Sequence, residues 1–337
     1  MKSLTLRGWV TLIGLVVLAL LPVFINRQLP LTILQQWPWL GGHFDFVTFL
    51  TGQEFYLVLA TRLVILAIAA VSLNLILGYG RMISFGHAAY LGIGAYAVGI
   101  PAYYEIYNGF IHIGIAVVVS AAFAFLTGLV CLRTRGVNFI MITMAFSMMV
   151  FFAFVSIEEY GGDDGLVIEV RSEFGQWVNL ENDTVLYYVC FVSLLGILYL
   201  IRRIVHSRFG MVIQGARGNE GRMQSLGFDT FRYRLVCYVI AGALCGYAGA
   251  LLGNFTSFIS PEMMDWTRSG ELIFMVVLGG TSSLFGPVLG ASLFILLEEI
   301  LSGFWLYWQL IFGIFLILVV LFAKGGIDSW LGRRPER

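Results

Sequence analysis

The chain has 337 residues, of which 59% are hydrophobic and 12% are charged, and its formal net charge is zero. A neutral chain gives no support for long-range attraction to nucleic acid or to acidic surfaces, so nucleic acid is not an expected partner. The sequence has two lysines, Lys2 and Lys324, and neither lies in a G-x-x-x-x-G-K-S/T phosphate loop. We therefore expect no catalytic residues, no cofactor and no ATP hydrolysis by this chain.

Apolar runs of membrane-spanning length recur from end to end, which is typical of an all-α, polytopic helical membrane protein. We expect a single transmembrane domain over residues 1–337 with about ten segments, some short or broken. The predicted segments are 9–25, 56–78, 84–100, 112–132, 137–156, 185–201, 235–253, 271–280, 284–300 and 304–323. In this division 1–55 is an N-terminal span with an outer loop, 56–323 is the core, and 324–337 is a tail.

The N-terminus has a basic start at Lys2 and Arg7 followed by a long apolar stretch. A cleaved signal peptide has a similar pattern, but it ends at small residues, whereas this stretch ends at Pro22-Val23-Phe24. The sequence therefore favours an uncleaved first span.

The distribution of charge predicts the orientation in the membrane. Segment 202–234 holds seven arginines, whereas loop 157–184 holds eight acidic residues and a single basic one, Arg171. Because cytoplasmic loops carry an excess of Lys and Arg, we expect 202–234 and both termini in the cytoplasm and 157–184 outside. The acidic loop could dock a binding protein, or it could be an ordinary solvated outer loop.

Glycine-rich breaks interrupt the apolar pattern in both halves of the chain, at 77–92 and 278–290. Interrupted helices in corresponding positions of two halves point to a central transport pathway. Gly-rich membrane helices are also common without any repeat, so a true internal repeat remains one of two interpretations.

Other features are weaker. The four cysteines lie in or beside apolar runs without C-x-x-C spacing, which predicts buried thiols rather than disulfides or metal ligands. The spans hold almost no paired charges of the kind that relay protons or bind coupling ions. Glu298 and Glu299 lie near the outer end of a span, and the sequence assigns them no role.

Three segments together resemble one family. They are LNLILGYGRMISFGHAAYLGIGAYA (73–97), ARGNEGRMQSLGFDTFRYRLVCYVIAGALCGYAGALLG (216–253) and MVVLGGTSSLFGPVLGA (275–291). In this order they resemble the LivM-type permease subunit of branched-chain amino acid ABC importers, in the LivH/LivM permease family. The resemblance extends from the second span to the last.

The resemblance implies a permease in the bacterial inner membrane that provides part of a path for hydrophobic or branched-chain amino acids. It also implies partners: a second, LivH-like permease, two cytoplasmic ATPase subunits and a periplasmic solute-binding protein. The energy for alternating access would then come from outside this chain, which agrees with its missing phosphate loop.

The resemblance also implies a cytoplasmic coupling helix that seats in a groove of the ATPase. The candidate residues are Arg217, Asn219, Glu220, Arg222, Ser225 and Gly227. Gly227 can adopt the left-handed backbone that ends a helix, and Glu220 could pair with a basic residue of the ATPase. The alternative is an ordinary basic loop.

Candidate pathway residues lie at the two glycine breaks: Ser84, Gly86, His87, Gly92, Gly279, Gly280, Ser283 and Gly286. His87 could contact solute, or it could be a neutral histidine satisfied by a neighbouring carbonyl or hydroxyl. A lone histidine has no partners for a metal site. The second break could line a cavity with exposed carbonyls and hydroxyls, or it could be a tight turn near the cytoplasmic surface.

Three other functions are compatible with the sequence to a lesser degree. The first is an ABC permease for urea, short amides or small organic acids. The second is a stand-alone secondary transporter or channel, which charged pairs inside the spans would favour. The third is a structural membrane scaffold, against which the broken helices argue.

Overall fold

A computed structural model describes residues 13–22, 53–175, 179–281, 283–304, 307–322 and 326. The predicted outer loop up to residue 52 and most of the 324–337 tail lie outside these ranges. The first six helices are α1 (Ile13–Pro22), α2 (Gln53–Leu77), α3 (His87–Tyr103), α4 (Gly109–Cys131), α5 (Val137–Val155) and α6 (Asp183–Val205). The remaining six are α7 (Arg208–Gly218), α8 (Glu220–Ser225), α9 (Thr230–Thr256), α10 (Trp266–Gly279), α11 (Gly286–Phe304) and α12 (Trp308–Phe322).

The all-α fold class is confirmed, since each predicted span overlaps an apolar helix of the described chain. Six of these helices are long and apolar enough to cross a membrane by themselves: α2, α4, α5, α6, α9 and α11. The 14 residues of α10 rise only about 21 Å, less than the thickness of a bilayer core. The short or broken segments that the sequence predicts are therefore present.

Some boundaries differ from the predicted ones. The third span begins at His87 rather than at residue 84, because 78–86 is a non-helical turn. The sixth span continues to Val205, so Arg202 and Arg203 form its last turn. The two positive charges interact favourably with the negative, C-terminal end of the helix dipole, and the long arginine side chains can reach the membrane surface.

The helices differ in how much of their surface the protein covers. In α2 and α9, 67% of the most apolar 18-residue window is buried, whereas the values for α4 and α5 are 28% and 22%. The most buried helices therefore form the centre of the bundle. Large exposed apolar side chains on the outer helices, such as Leu126 and Val137, are suited to contact with lipid or with another apolar protein surface.

The two ends of the bundle differ in charge. At one end the acidic loop forms a cap in which strand β1 (Leu166–Val167) pairs antiparallel with β2 (Phe258–Ile259). The 3-10 helices Glu158–Tyr160, Gly162–Asp164 and Pro261–Met264 belong to the same end. The arginine-rich segment with α7 and α8 lies at the opposite end, one span away through α6 or α9. This separation agrees with the predicted orientation.

Candidate functional site

The predicted coupling residues lie on two helices rather than one. Asn219 breaks the helix between α7 and α8 with extended backbone (φ −152°, ψ 102°). Its side chain then caps α8, because Oδ1 accepts a hydrogen bond from the N–H of Arg222 at 3.0 Å. Arg217 is therefore in the last turn of α7, whereas Glu220, Arg222 and Ser225 belong to α8.

Gly227 ends α8 with the left-handed backbone that the sequence predicts (φ +89°). The N–H of Gly227 donates to the carbonyl of Gln224 at 2.9 Å, and the N–H of Phe228 donates to that of Met223 at 3.1 Å. This pair of bonds is the Schellman motif, which satisfies the last carbonyls of a helix. Asn219 therefore caps the N-terminus of α8, and Gly227 caps its C-terminus.

The surface of α8 is open. Gly221, Arg222 and Ser225 are exposed, and the apolar side chains of Leu226 and Phe228 are 65% and 38% exposed. These two large apolar side chains lie in the arginine-rich segment, outside the membrane-spanning helices. Exposed apolar groups at such a position are suited to contact with another protein.

Glu220 differs from its neighbours because its carboxylate is already bound within the chain. Oε1 lies 3.1 Å from Nη1 of Arg234 on α9 and accepts a hydrogen bond from Thr230 at 3.0 Å. Oε2 lies 3.1 Å from Nη2 of Arg135 in the α4–α5 turn. The Glu220 side chain is 16% exposed. The residue therefore joins α8 to α9 and to the α4–α5 turn, and the contact that the sequence suggested with an ATPase would have to displace these bonds.

The first predicted pathway segment is a buried turn ahead of α3. Ser84 is fully buried and its Oγ accepts a hydrogen bond from the N–H of Gly86 at 3.3 Å. His87 is also fully buried, and its Nε2 lies 3.0 Å from Oγ of Ser72 on α2. A neighbouring hydroxyl therefore satisfies one ring nitrogen, as expected for a structural histidine, while Nδ1 has no hydrogen-bond partner among the described residues.

Gly86 and Gly92 serve close packing. A Cβ at Gly86 would lie 2.7 Å from the carbonyl oxygen of Thr143 on α5, and a Cβ at Gly92 would collide with the side chain of Met264. In this conformation both glycines face protein. Their lack of a side chain lets α3 approach α5 and the outer 3-10 helix closely.

The same principle joins α3 to α9. A Cβ at Gly94 would collide with the backbone of Gly246, and a Cβ at Gly249 would collide with the carbonyl of Leu91. The two most buried parts of the bundle therefore touch backbone to backbone. Any movement of α9 has to carry α3 with it or separate this seam.

The second predicted pathway segment is the turn between α10 and α11. Gly279 lies against the backbone of Gly286, and Gly280 has a positive φ of 112° that favours glycine. The Ser283 hydroxyl accepts a hydrogen bond from the N–H of Gly286 at 2.7 Å, which caps α11. Ser283 is 9% exposed, so this non-helical backbone is buried in protein rather than open to lipid.

The two glycine breaks meet on α2. Nδ2 of Asn74 donates to the carbonyl of Ser283 at 2.9 Å, and a Cβ at Gly78 would collide with the carbonyl oxygen of Thr281. Ser72, the partner of His87, lies two residues before Asn74. The structure therefore brings both predicted pathway segments together, and it does so through two polar residues that the sequence analysis missed. The sequence feature that could have revealed Ser72 and Asn74 is that they are polar residues within an apolar run.

Ion pairs inside the spans were also missed. Nη2 of Arg62 on α2 lies 3.0 Å from Oε1 of Glu298 on α11, and Nη1 of Arg268 lies 3.0 Å from Oε2 of Glu271 within α10. The pair of Arg62 and Glu298 joins two predicted spans, whereas Arg268 precedes the predicted span 271–280. A charged residue within a membrane span requires a partner, so Arg62 in the middle of an apolar run was itself a signal.

The cysteines and the side chains that could bind a metal form no site in the described part of the chain. All four cysteines are buried and unpaired, which confirms the prediction of buried thiols. In the described part of the chain no three His, Cys, Asp or Glu side chains come together as metal ligands would.

Comparison with known proteins identifies relatives over most of the chain. The family described as "Branched-chain amino acid transport system / permease component" matches residues 55–321. The chain is 27% identical to the high-affinity branched-chain amino acid transport system permease protein LivM of Salmonella typhimurium, over 80% of this chain and 69% of that protein. LivM of Escherichia coli gives the same identity and coverage.

A second permease is also related. The chain is 28% identical to the high-affinity branched-chain amino acid transport system permease protein LivH of Escherichia coli, over 80% of this chain and 92% of LivH. No solved structure matches the chain.

Proposed function

The chain belongs to the branched-chain amino acid transport permease family, and from this premise we propose that it is the LivM-type transmembrane subunit of an ABC importer. It forms part of the translocation path for hydrophobic or branched-chain amino acids in the bacterial inner membrane. A LivH-like permease completes the path, two cytoplasmic ATPase subunits drive it, and a periplasmic binding protein delivers the solute.

The observation that carries this proposal is the position and attachment of α8. A coupling element has to be short, rigid and exposed on its outer face, and it has to be attached firmly to the spans on its inner face. The capped helix α8 meets both requirements, since Leu226 and Phe228 are exposed while Glu220 binds Arg234 and Arg135.

A mechanical route follows from these contacts. A displacement of α8 by an ATPase acts on α9 through Glu220 and Arg234, which are 3.1 Å apart. The seam of Gly94 and Gly246 then passes the motion from α9 to α3. Packed interfaces of this kind switch between discrete arrangements rather than deforming continuously. The route supports alternating access that is driven from the arginine-rich end.

The test is a single substitution on the exposed surface of α8 in the reconstituted complex. Gly221 is exposed, and an added Cβ would have only Oδ1 of Asn219 nearby, at 3.6 Å. Gly221→Trp should therefore leave folding nearly intact, since exposed substitutions usually change stability by about 0.5 kcal/mol or less. It should nevertheless abolish solute uptake and the stimulation of ATPase activity.

Gly196→Trp on α6 is the matched control, because Gly196 is exposed and an added Cβ would meet nothing within 4 Å. It should retain uptake. Normal uptake by Gly221→Trp, with normal assembly, would leave 217–227 as an ordinary basic loop and remove the main support for coupling.

The other transport functions make different predictions in the same assay. A stand-alone transporter or channel would move solute without ATP and without the ATPase subunits. A permease for urea, short amides or organic acids would show ATP-driven uptake of those solutes in preference to leucine.

The acidic outer loop is the proposed docking region for the binding protein, supported by its eight exposed carboxylates.

A further inference from the structure

Four charged side chains on α2, α10 and α11 lie together toward the acidic end of the bundle. They are Arg62 on α2, Arg268 and Glu271 on α10, and Glu298 on α11. Arg62, Arg268 and Glu271 line the same cavity and Glu298 is paired with Arg62, so the two ion pairs lie side by side and form one cluster. Two positive and two negative charges make the cluster neutral.

This cluster identifies a face of the bundle that does not contact lipid. Arg268, Glu271 and Arg62 remain 45%, 36% and 33% exposed in this chain. Charged groups at membrane depth face the interior of a protein assembly or a water-filled cavity, since contact with lipid tails is costly. The face made by α2, α10 and α11 is therefore the side toward water or toward a second subunit.

A cavity of about 260 Å³ opens beside the cluster. Arg62, Arg268 and Glu271 line one part of it, and the rest of its wall is apolar apart from Thr256, with Leu252, Phe255 and Met275 among its residues. Its volume is roughly nine times the share of one water in the liquid, which leaves room for a small organic solute. Ligand sites combine an apolar wall with a few convergent polar groups in this way.

We infer that this cavity binds the transported solute, and that the solute is a zwitterionic α-amino acid with an apolar side chain. The solute carboxylate binds the guanidinium of Arg62 or Arg268, its ammonium group binds Glu271, and its side chain lies against the apolar wall. Arginine suits this role because its fork of donors matches a carboxylate. The inference rests on the proposed function and names the site within it.

The charge balance of the cluster selects this class of solute. A zwitterion adds one positive and one negative group, so the charges of the cluster stay balanced when it exchanges partners with the ion pairs. A carboxylate without an amine would leave an excess negative charge, and an unpaired charge at membrane depth is costly. Urea and short amides carry no charge to replace either partner of an ion pair. The cavity therefore favours amino acids over the other solutes compatible with the sequence.

Cysteine protection in the assembled complex tests the site directly. Thr256 is exposed and lines the cavity, so Thr256→Cys introduces a thiol there, while the native cysteines of this chain are buried. The complex without binding protein is treated with a charged thiol reagent, and modification at 256 is read by peptide mass spectrometry. Leucine at high concentration should slow modification about tenfold or more, as expected if it occupies most of the sites.

The analogues and the control define the recognition chemistry. Isopentylamine, 4-methylpentanoate and urea should each protect Thr256→Cys far less than leucine. Val58→Cys, on α2 and outside the cavity lining, is the matched control because Val58 is 43% exposed. No solute should protect it. Equal protection by all four solutes, or no protection by leucine, would overturn the inference.

A charge exchange separates solute recognition from structural support. Arg62→Glu combined with Glu298→Arg keeps an ion pair between α2 and α11 but reverses its direction. We expect normal assembly with at least about a tenfold loss of leucine uptake, because a carboxylate at position 62 would face the solute carboxylate and like charges placed opposite each other cost more than a factor of ten in affinity. Uptake restored to the wild-type rate would show that the pair is only a structural link.

Arg62→Gln combined with Glu298→Gln removes both charges, with the size of the side chain kept at 298 and reduced at 62. This variant replaces the exchanged pair if that pair does not assemble. It should also lose uptake and leucine protection. Arg171→Gln combined with Asp183→Asn removes an ion pair of 2.7 Å at the acidic end and should leave leucine protection, which is measured without binding protein, unchanged. A Thr256→Cys complex that transports leucine but is not protected by leucine would overturn only this inference. Wild-type complex with no ATP-driven leucine uptake would instead overturn the proposed function.

Discussion

Glu220 on the exposed helix α8 is bound to Arg234 in the second turn of α9, with 3.1 Å between Oε1 and Nη1. The two side chains are only 16% and 17% exposed, so water screens their interaction less than it screens a surface pair. The bond joins the most exposed helix of the arginine-rich end to one of the most buried helices of the bundle.

We predict that Glu220→Gln lowers the stability of the complex and weakens coupling together. The substitution removes the charge that holds Arg234 and Arg135, and hydrogen bonds to charged groups contribute about 1.5–3 kcal/mol. Thermal unfolding and ATP-driven uptake are the measurements. Asp229→Asn is the matched control, since its pair with Arg232 is exposed (82% and 52%) and such pairs contribute at most about 1 kcal/mol. Equal effects of the two variants would contradict the proposed role of Glu220.

Orientation in the membrane is the second prediction. Arg222→Cys and Glu169→Cys place thiols at exposed positions on the two ends of the bundle, and the native cysteines are buried. In intact cells an impermeant thiol reagent should modify position 169 and not 222, because the arginine-rich end is expected in the cytoplasm. Both positions should react after the membrane is permeabilised and the ATPase subunits are removed. Labelling at 222 alone in intact cells would require the opposite orientation.

The seam between α3 and α9 gives a prediction in which two similar substitutions have effects of opposite sign. Gly94→Ala should destabilise the protein by about 1–3 kcal/mol, because the new Cβ collides with the backbone of Gly246 and overpacking has costs of this size. Gly114→Ala on α4 should instead stabilise it by about 0.5–1 kcal/mol, since an added Cβ meets nothing within 4 Å and alanine is the better helix former.

Chemical or thermal unfolding in the same detergent would measure both glycine variants. If Gly94→Ala is as stable as Gly114→Ala, then α3 and α9 do not touch backbone to backbone.

Asn74 provides a prediction about the meeting of the two glycine breaks. Asn74→Leu removes the donor to the Ser283 carbonyl, and leaving a buried acceptor unpaired costs about 1–3 kcal/mol. The variant should also increase proteolysis or hydrogen exchange in the turn between α10 and α11. Thr61→Val, on the same helix, is the matched control. Its hydroxyl donates only to Leu57 within α2, so the loss should be smaller. Unchanged exchange in Asn74→Leu would show that the break does not depend on α2.

The sequence by itself determined the class of protein, because hydrophobic runs and charge counts are local properties of a chain. The helices, the glycine-rich turn before the third span and the short segment 271–280 were all predictable from apolar length and glycine content. Helix caps could also be predicted from neighbouring residues, and Gly227 has the left-handed backbone expected of a glycine at the end of a helix. The three motifs that indicated the family are likewise contiguous stretches.

Only the tertiary structure decided which side chains meet. Arg62 and Glu298 are 236 positions apart, and Asn74 and Ser283 are 209 apart. A helix such as α2 is apolar on nearly all sides, so it has no amphipathic stripe from which its rotation could be inferred. The partner of a lone polar residue then depends on the depth and rotation of a second helix. For this reason the ion pairs beside the cavity and the internal partners of Glu220 could not be read from the sequence.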